Sequence, residues 1–371
     1  MLELADIVRV AGPRYRATHA GRLLPSQQRA LDDILACRTP ALGGAVYECD
    51  HCGTRDFAYH SCRNRHCPKC QADRAQRWLT TVRTRLLPCA HYLVTFTLPA
   101  ELRPLAQRHQ RVVYAALLRE AAAALQTIAS DPTWVGGQLG ILAVLHTWTR
   151  TLEYHPHAHL VVTAGGLAPD GITWRHPAHP RFLMPGYLLS ATFRRRMQRA
   201  LTRAGLIDQV PPRSWRRRWT VHLEAIGAGD HALRYLARYV FHVALSNTRL
   251  TAFAADRVTF AYTHARTRET RHATVPSDVF LDRFLSHVLP RRFTKVRYFG
   301  LLTPACVTRH ATARALLHQH ASQPHAERTA RADCDRDPLS PSVPISTRRC
   351  STCHQGRLHL IQRFSRSRAP P

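Results

Sequence analysis

The segment EYHPHAHLVV, Glu153 to Val162, sets three histidines at every second position and then runs into an apolar stretch. Side chains alternate faces along a β-strand, so His157 and His159 share one face while Ala158 points to the other, towards a core. Pro156 cannot donate to a ladder, which predicts that the strand begins there and leaves His155 outside the regular pattern. Two imidazoles on one face of a strand form a candidate metal pair. The competing reading is a histidine-rich surface, because the chain carries 24 histidines.

Outward from this segment, strand patterns recur at His91–Leu98 (HYLVTFTL), Ile141–Trp148 (ILAVLHTW), Trp219–Ile226 (WTVHLEAI) and Arg257–Thr263 (RVTFAYT). Helical patterns separate them, at Ala100–Ala129, Tyr187–Gly205, Asp230–Leu245 and Asp278–Pro290. Nearer the N-terminus, two short helices broken at Gly12-Pro13 and ended at Gly43-Gly44 are expected. A basic helix should lead out of the cysteine-rich module over Ala72–Leu87. From about His320 the chain turns polar, rich in Pro, Ser and Arg, which predicts a largely disordered tail. The fold class expected is α+β. The predicted division is residues 1–80, 88–265, 266–318 (a helical, basic extension) and 319–371 (the tail).

Charge bounds the partner. The 371 residues hold 53 Lys and Arg against 24 Asp and Glu, a formal +29. Such an excess predicts a polyanion, and nucleic acid is the usual one. No apolar run suggests a membrane span, and the start of the chain lacks the order of a signal peptide; a cytoplasmic, nucleoid-associated protein is expected. In that compartment the 11 cysteines are metal ligands before they are disulfides.

Cys49-x2-Cys52 and Cys67-x2-Cys70 are paired knuckles, and four thiolates at that spacing predict one structural zinc. Cys62 and His66 lie between the knuckles and could replace one ligand or serve a second site; spacing does not decide. Cys350-x2-Cys353 near the tail is half a site.

Tyr235 and Tyr239 stand four apart in the helical pattern Asp230–Leu245, so their rings share one face. Aromatics at this spacing usually pack a core. Here Arg234 and Arg238 precede them, and His231 and His242 lie one turn away on either side. That stripe suits a phosphodiester better than a core, because a tyrosine hydroxyl can attack phosphorus and hold a strand end covalently. A divalent ion on His157 and His159 would neutralise the developing charge. Its third ligand would come from His231, His242 or His146, with no preference visible. The basic-aromatic segments Arg213–Trp219, Phe193–Arg199 and Arg291–Phe299 suit single-stranded DNA, with Arg216, Arg217 and Arg218 as phosphate contacts.

Five segments together resemble a known family: ACRTPALGGAVYECDHCG with HSCRNRHCPKCQ, HYLVTFTLPAELRPLA, LAVLHTWTRTLEYHPHAHLVV, YLARYVFHVALSNTRL and FLSHVLPRRFTKVRYFGLL. They span roughly residues 5 to 315 and resemble the two-tyrosine, rolling-circle insertion-sequence transposases of the His-hydrophobic-His nuclease superfamily, the insertion-sequence family numbered 91. The resemblance implies a zinc-binding N-terminal domain and a nuclease domain with an antiparallel, ferredoxin-like sheet. It implies His157 and His159 as ligands of Mg2+ or Mn2+, with Tyr235 and Tyr239 as nucleophiles. The partners implied are single-stranded element ends and target DNA. Two rivals stand beside it: a plasmid replication initiator or relaxase of the same chemistry, and a non-catalytic zinc-finger DNA-binding protein.

Overall fold

A computed structural model describes residues 1–70, 78, 82–179, 182–228, 245–264, 267–321 and 349–366. The chain opens with α1 (Leu4–Thr18) and α2 (Pro25–Ala36). The break expected at Gly12-Pro13 is absent: α1 runs through Pro13. A proline inside a helix costs about 3 kcal/mol. Burial of Leu4, Ile7, Val8, Ala11 and Tyr15 on one face of the same helix offsets that cost. Next come the hairpin β1 (Gly44–Cys49) and β2 (Arg55–Tyr59), then β3 (Ala90–Thr97), α3 (Arg103–Arg108) and α4 (Gln110–Ala129). Strands β4 (Gly140–Trp148) and β5 (Tyr154–Thr163) follow, with a short ribbon of β6 (Gly166–Leu167) and β7 (Trp174–Arg175). Helix α5 (Gly186–Arg203) leads to β8 (Val221–Ala228).

Among the described residues, the central sheet has five strands in the order β12-β4-β5-β3-β8, where β12 is Val296–Gly300, and every neighbouring pair is antiparallel. Alternation gives the sheet two different faces. Phe96, Leu145, Ala158 and Leu160 belong to a core shared with Leu117, Leu125, Phe193 and Met197 of α4 and α5. Leu142, Val144 and Val161 look the other way and pack with Ile226 and Leu302. Helix α4 is long and apolar enough to cross a membrane by length and composition alone. Here it is a core helix, with Val113, Leu117, Ala121, Ala124 and Leu125 buried. Its one buried acid, Glu120, meets Arg196 of α5 at 3.2 Å, which ties the two helices together.

Strand β5 starts before Pro156, at Tyr154, and so includes His155. A central strand tolerates the missing N–H because the β4–β5 register shifts between His146 and Trp148, next to the proline.

Two expectations about the C-terminal half change, and one segment of the tail, residues 349–366, is among the described residues. Strand β10 (Arg257–Thr263), expected in the nuclease domain, pairs with β9 (Leu250–Ala254) and β11 (Thr270–Pro276) in a separate sheet. Val258 and Phe260 of β10 join α1, α2 and α6 (Ser277–Ser286) in a second core. The extension expected over 266–318 is not merely helical and basic. Its segment Val296–Gly300 closes one edge of the central sheet on β4, and α7 (Val307–Ala321) follows. The tail, expected to be largely disordered, contributes β13 (Leu358–Phe364), which pairs antiparallel with β1. The antiparallel pairing of β1 and β13 supplies backbone partners that a polar composition alone does not reveal.

Ala158 is fully buried on the helix-facing side of β5. Replacement by Leu overfills a close-packed site, at an expected cost of about 1–3 kcal/mol. A lowered midpoint in urea unfolding checks this; an unchanged midpoint would place Ala158 outside the core.

Candidate metal centres and DNA-facing residues

His157 and His159 share one face of β5, as the alternation required, and Ala158 is buried on the other. The pairing of β4 with β5 sets His146 directly opposite His157. One ligand atom from each of His146, His157 and His159 lies within 4.8 Å of the others. Of the third-ligand candidates, His146 is the one that lies among the described residues, and it stands beside the pair. Among the described residues, no carboxylate joins the group.

The surroundings orient the rings. The His157 Nδ1–H donates to the backbone carbonyl of His155 at 2.7 Å, which leaves Nε2 as the ring nitrogen carrying the lone pair. His159 Nδ1 is 3.0 Å from the Thr95 hydroxyl across the β3–β5 ladder. Trp148 stacks on His146 with centroids 4.8 Å apart. Burial holds His157 down to about 4 and His159 well below its ordinary value. Both imidazoles are therefore neutral at physiological pH, the form that binds metal. Three nitrogen donors suit manganese, nickel or zinc better than magnesium.

Tyr235 and Tyr239 lie outside the described residues, as do Arg234, Arg238, His231 and His242. Arg216, Arg217 and Arg218 are exposed between α5 and β8. Arg217 is tethered: its guanidinium is 2.9 Å from Glu101, and its carbonyl accepts from Arg194 at 2.7 Å. In the basic segment Arg291–Phe299, Lys295 is not a free surface cation. It lies over the Trp148 ring at 5.7 Å, and burial pushes its ammonium down to about 8.

The cysteines depart from the expected single site. Cys49, Cys52, Cys67 and Cys70 do not converge on one point. Cys67 and Cys70 group with Cys62 and Cys37, whereas Cys49 and Cys52 group with Cys350 and Cys353. The β1–β2 hairpin separates the two knuckles. It carries Cys49–Cys52 at its turn, while the second knuckle folds back onto the end of α2, where Cys37 sits. In the first quartet Cys70 Sγ is 3.5 Å from Cys37 and 3.6 Å from Cys62. Four thiolates at this spacing fit one tetrahedral zinc. Cys62 thus serves as a full member. His66 is not one, and its Nε2 accepts instead from the Leu289 amide at 3.3 Å. Cys37 escaped the sequence reading because it stands alone, outside any C-x2-C pattern.

Two family models match the chain: "Transposase zinc-binding domain" over residues 7–98 and "Putative transposase" over residues 140–310. The "Putative transposase y4qJ" of Sinorhizobium fredii is 37% identical over 390 aligned positions, covering all of this chain and 97% of the relative. The "Transposase for insertion sequence element IS801" of Pseudomonas savastanoi pv. phaseolicola is 30% identical, over 76% of this chain and 72% of its own length. The chain belongs to the IS91 family of transposases. No solved structure matches it. The zinc-binding region of the transposase contains the whole first quartet, and the second matched region contains the three histidines.

Burial of histidines predicts an acid-sensitive fold. His91, His157 and His287 are each held down to about 4, chiefly by burial. An unfolded histidine titrates near 6.5, so the unfolded state takes up protons first as pH falls. The stability these groups contribute is complete above about pH 6.5 and is lost progressively towards pH 4. Urea midpoints measured without added divalent cation should be level from pH 8 to 7 and fall between pH 6.5 and 5; a level response down to pH 5 contradicts neutral burial.

Proposed function

We propose that this transposase cuts one DNA strand at an element end through a tyrosine and carries the strand to a target, as single-stranded, rolling-circle transposition requires. The observation that carries the reading is the convergence of His146, His157 and His159 on one face of an antiparallel sheet, in a chain of transposase family. The sheet, with α4 and α5 on its other face, is read as a ferredoxin-like nuclease core. Tyr235 or Tyr239 attacks phosphorus. The new bond joins the tyrosine oxygen to the 5′ phosphate, and the bond to the 3′ oxygen breaks. The tyrosine proton leaves to solvent, and the departing 3′ oxygen takes up a proton.

The three imidazoles would hold a divalent cation, Mn2+ in preference to Mg2+ for nitrogen donors, whose positive charge would neutralise the charge that develops on the phosphate. The protein's share is orientation: the His155 carbonyl fixes the tautomer of His157, Thr95 anchors His159, and Trp148 braces His146. Because phosphotyrosine conserves the energy of the phosphodiester, a free 3′ hydroxyl at the target can reverse the attack and rejoin the strand. Arg216, Arg217 and Arg218, with Arg234 and Arg238 beside the tyrosines, hold the single strand by its phosphates. Two tyrosines four residues apart in a helical sequence pattern would act in turn.

Labelled single-stranded oligonucleotide from an element end, incubated with the protein and Mn2+, should give a covalent adduct that survives denaturing electrophoresis. Paired His157→Ala and His159→Ala changes should abolish the adduct while DNA binding persists. The double Tyr235→Phe, Tyr239→Phe variant should form none, and an adduct from it would overturn the mechanism. Cleavage that supports only plasmid-origin substrates would favour the replication-initiator reading.

A further inference from the structure

The second cysteine quartet joins the two ends of the chain. Cys49 and Cys52 lie in the zinc-binding region, but Cys350 and Cys353 fall outside both matched regions. Cys49 Sγ is 3.7 Å from Cys353 Sγ, and Cys52 Sγ is 3.7 Å from Cys350 Sγ. Four sulfurs each about 2.3 Å from a zinc stand about 3.8 Å apart along the edges of the tetrahedron. A disulfide would bring a pair to about 2.05 Å, so neither pair is bonded.

The two halves of the quartet are built alike. In each, the amide four residues after the first cysteine donates to that cysteine's carbonyl: Gly53 to Cys49 and His354 to Cys350, both at 3.0 Å. In each, the amide two residues after the first cysteine points at its sulfur, from His51 and from Thr352, both at 3.4 Å. Gly53 and His354 both take positive φ, at 68° and 57°. This repeated N–H pattern is what a metal-bound thiolate requires, since it spreads the charge left on sulfur. Gly356 completes the fit: a Cβ there would overlap the Cys49 sulfur. Asp50 then clamps the approach, accepting from the Arg357 amide at 2.8 Å and meeting His359 Nε2 at 3.0 Å.

We propose that Cys49, Cys52, Cys350 and Cys353 form a second tetrathiolate zinc site that staples the C-terminal segment to the N-terminal module. The ion closes a loop between residues 298 apart, Cys52 and Cys350. It lets β13 dock on β1 as the third strand of that sheet. Without the ion, only the β1–β13 pairing and the Asp50 contacts would hold the strand, and closing so long a loop carries an entropic cost. The staple also presents the exposed arginines Arg357 and Arg363 on the zinc module's surface.

The test uses the full chain carrying His157→Ala and His159→Ala, so that the imidazole site adds no metal. Native mass spectrometry should find two zincs per chain. Cys350→Ser with Cys353→Ser should leave one, whereas Cys353→His, which keeps a ligand, should retain two. A specific protease site inserted between residues 335 and 336 gives a second readout. After cleavage the C-terminal fragment should co-elute with the rest of the chain, and in the Cys350→Ser, Cys353→Ser version it should separate. An unchanged zinc content in that version, or a fragment that separates from the zinc-loaded protein with its cysteines intact, overturns the proposal. These readouts are metal content and chain association, so their failure leaves the strand-cutting reading untouched.

Discussion

The pairing of β5 with β4 on one side and β3 on the other is the constraint on which the site depends. Its register sets His157 against His146 and Thr97, and His159 against Val144 and Thr95. A slip of one residue would turn the histidines into the helix-packed core and push Ala158 out. The core prevents that slip. Ala158, Leu160 and Val162 interlock with the apolar faces of α4 and α5, and a charged or polar replacement of that row has no partner there. The hydrophobic side of the sheet thus holds the polar side in position.

Burial does two things for the histidines at once. It keeps His157 and His159 neutral, the form of an imidazole that binds metal, and it costs stability whenever acid tries to charge them. His146 gains the Trp148 ring as a brace, and that ring in turn lies beneath Lys295 and against His287. His287 is itself fixed by the Leu152 carbonyl at 3.0 Å and the Thr147 hydroxyl at 3.2 Å. Packing that looks structural, after α6 and before β12, therefore supports the imidazole cluster from behind.

The zinc-binding region is not an appended bead. Cys37, Cys67 and Cys70 share a core with α1, α2, α6 and the β9–β11 sheet. Arg65 donates to the Phe293 carbonyl, just before β12 of the central sheet, and His66 accepts from the Leu289 amide. The loop that carries the second knuckle thus contacts the segment that delivers β12 to β4.

Local chemistry was readable in the sequence wherever it obeys a short period. Alternation placed His157 and His159 on one face, apolar runs located β3, β4 and β5, and the doubled C-x2-C spacing announced zinc. The charge of +29 pointed to a polyanion. What the sequence could not contain is which short-range units meet. His146 became the third imidazole only through strand pairing. Cys37 entered the first quartet because α2 ends beside the second knuckle, and the two C-x2-C units parted company because a hairpin stands between them. The polar tail found its strand partner near the other end of the chain, with Phe364 opposite Gly44 and Leu358 opposite Cys49. Periodicity is a property of neighbours along the chain and is written there; convergence of thiolates and imidazoles from distant segments depends on packing and loop closure, which only the folded chain decides.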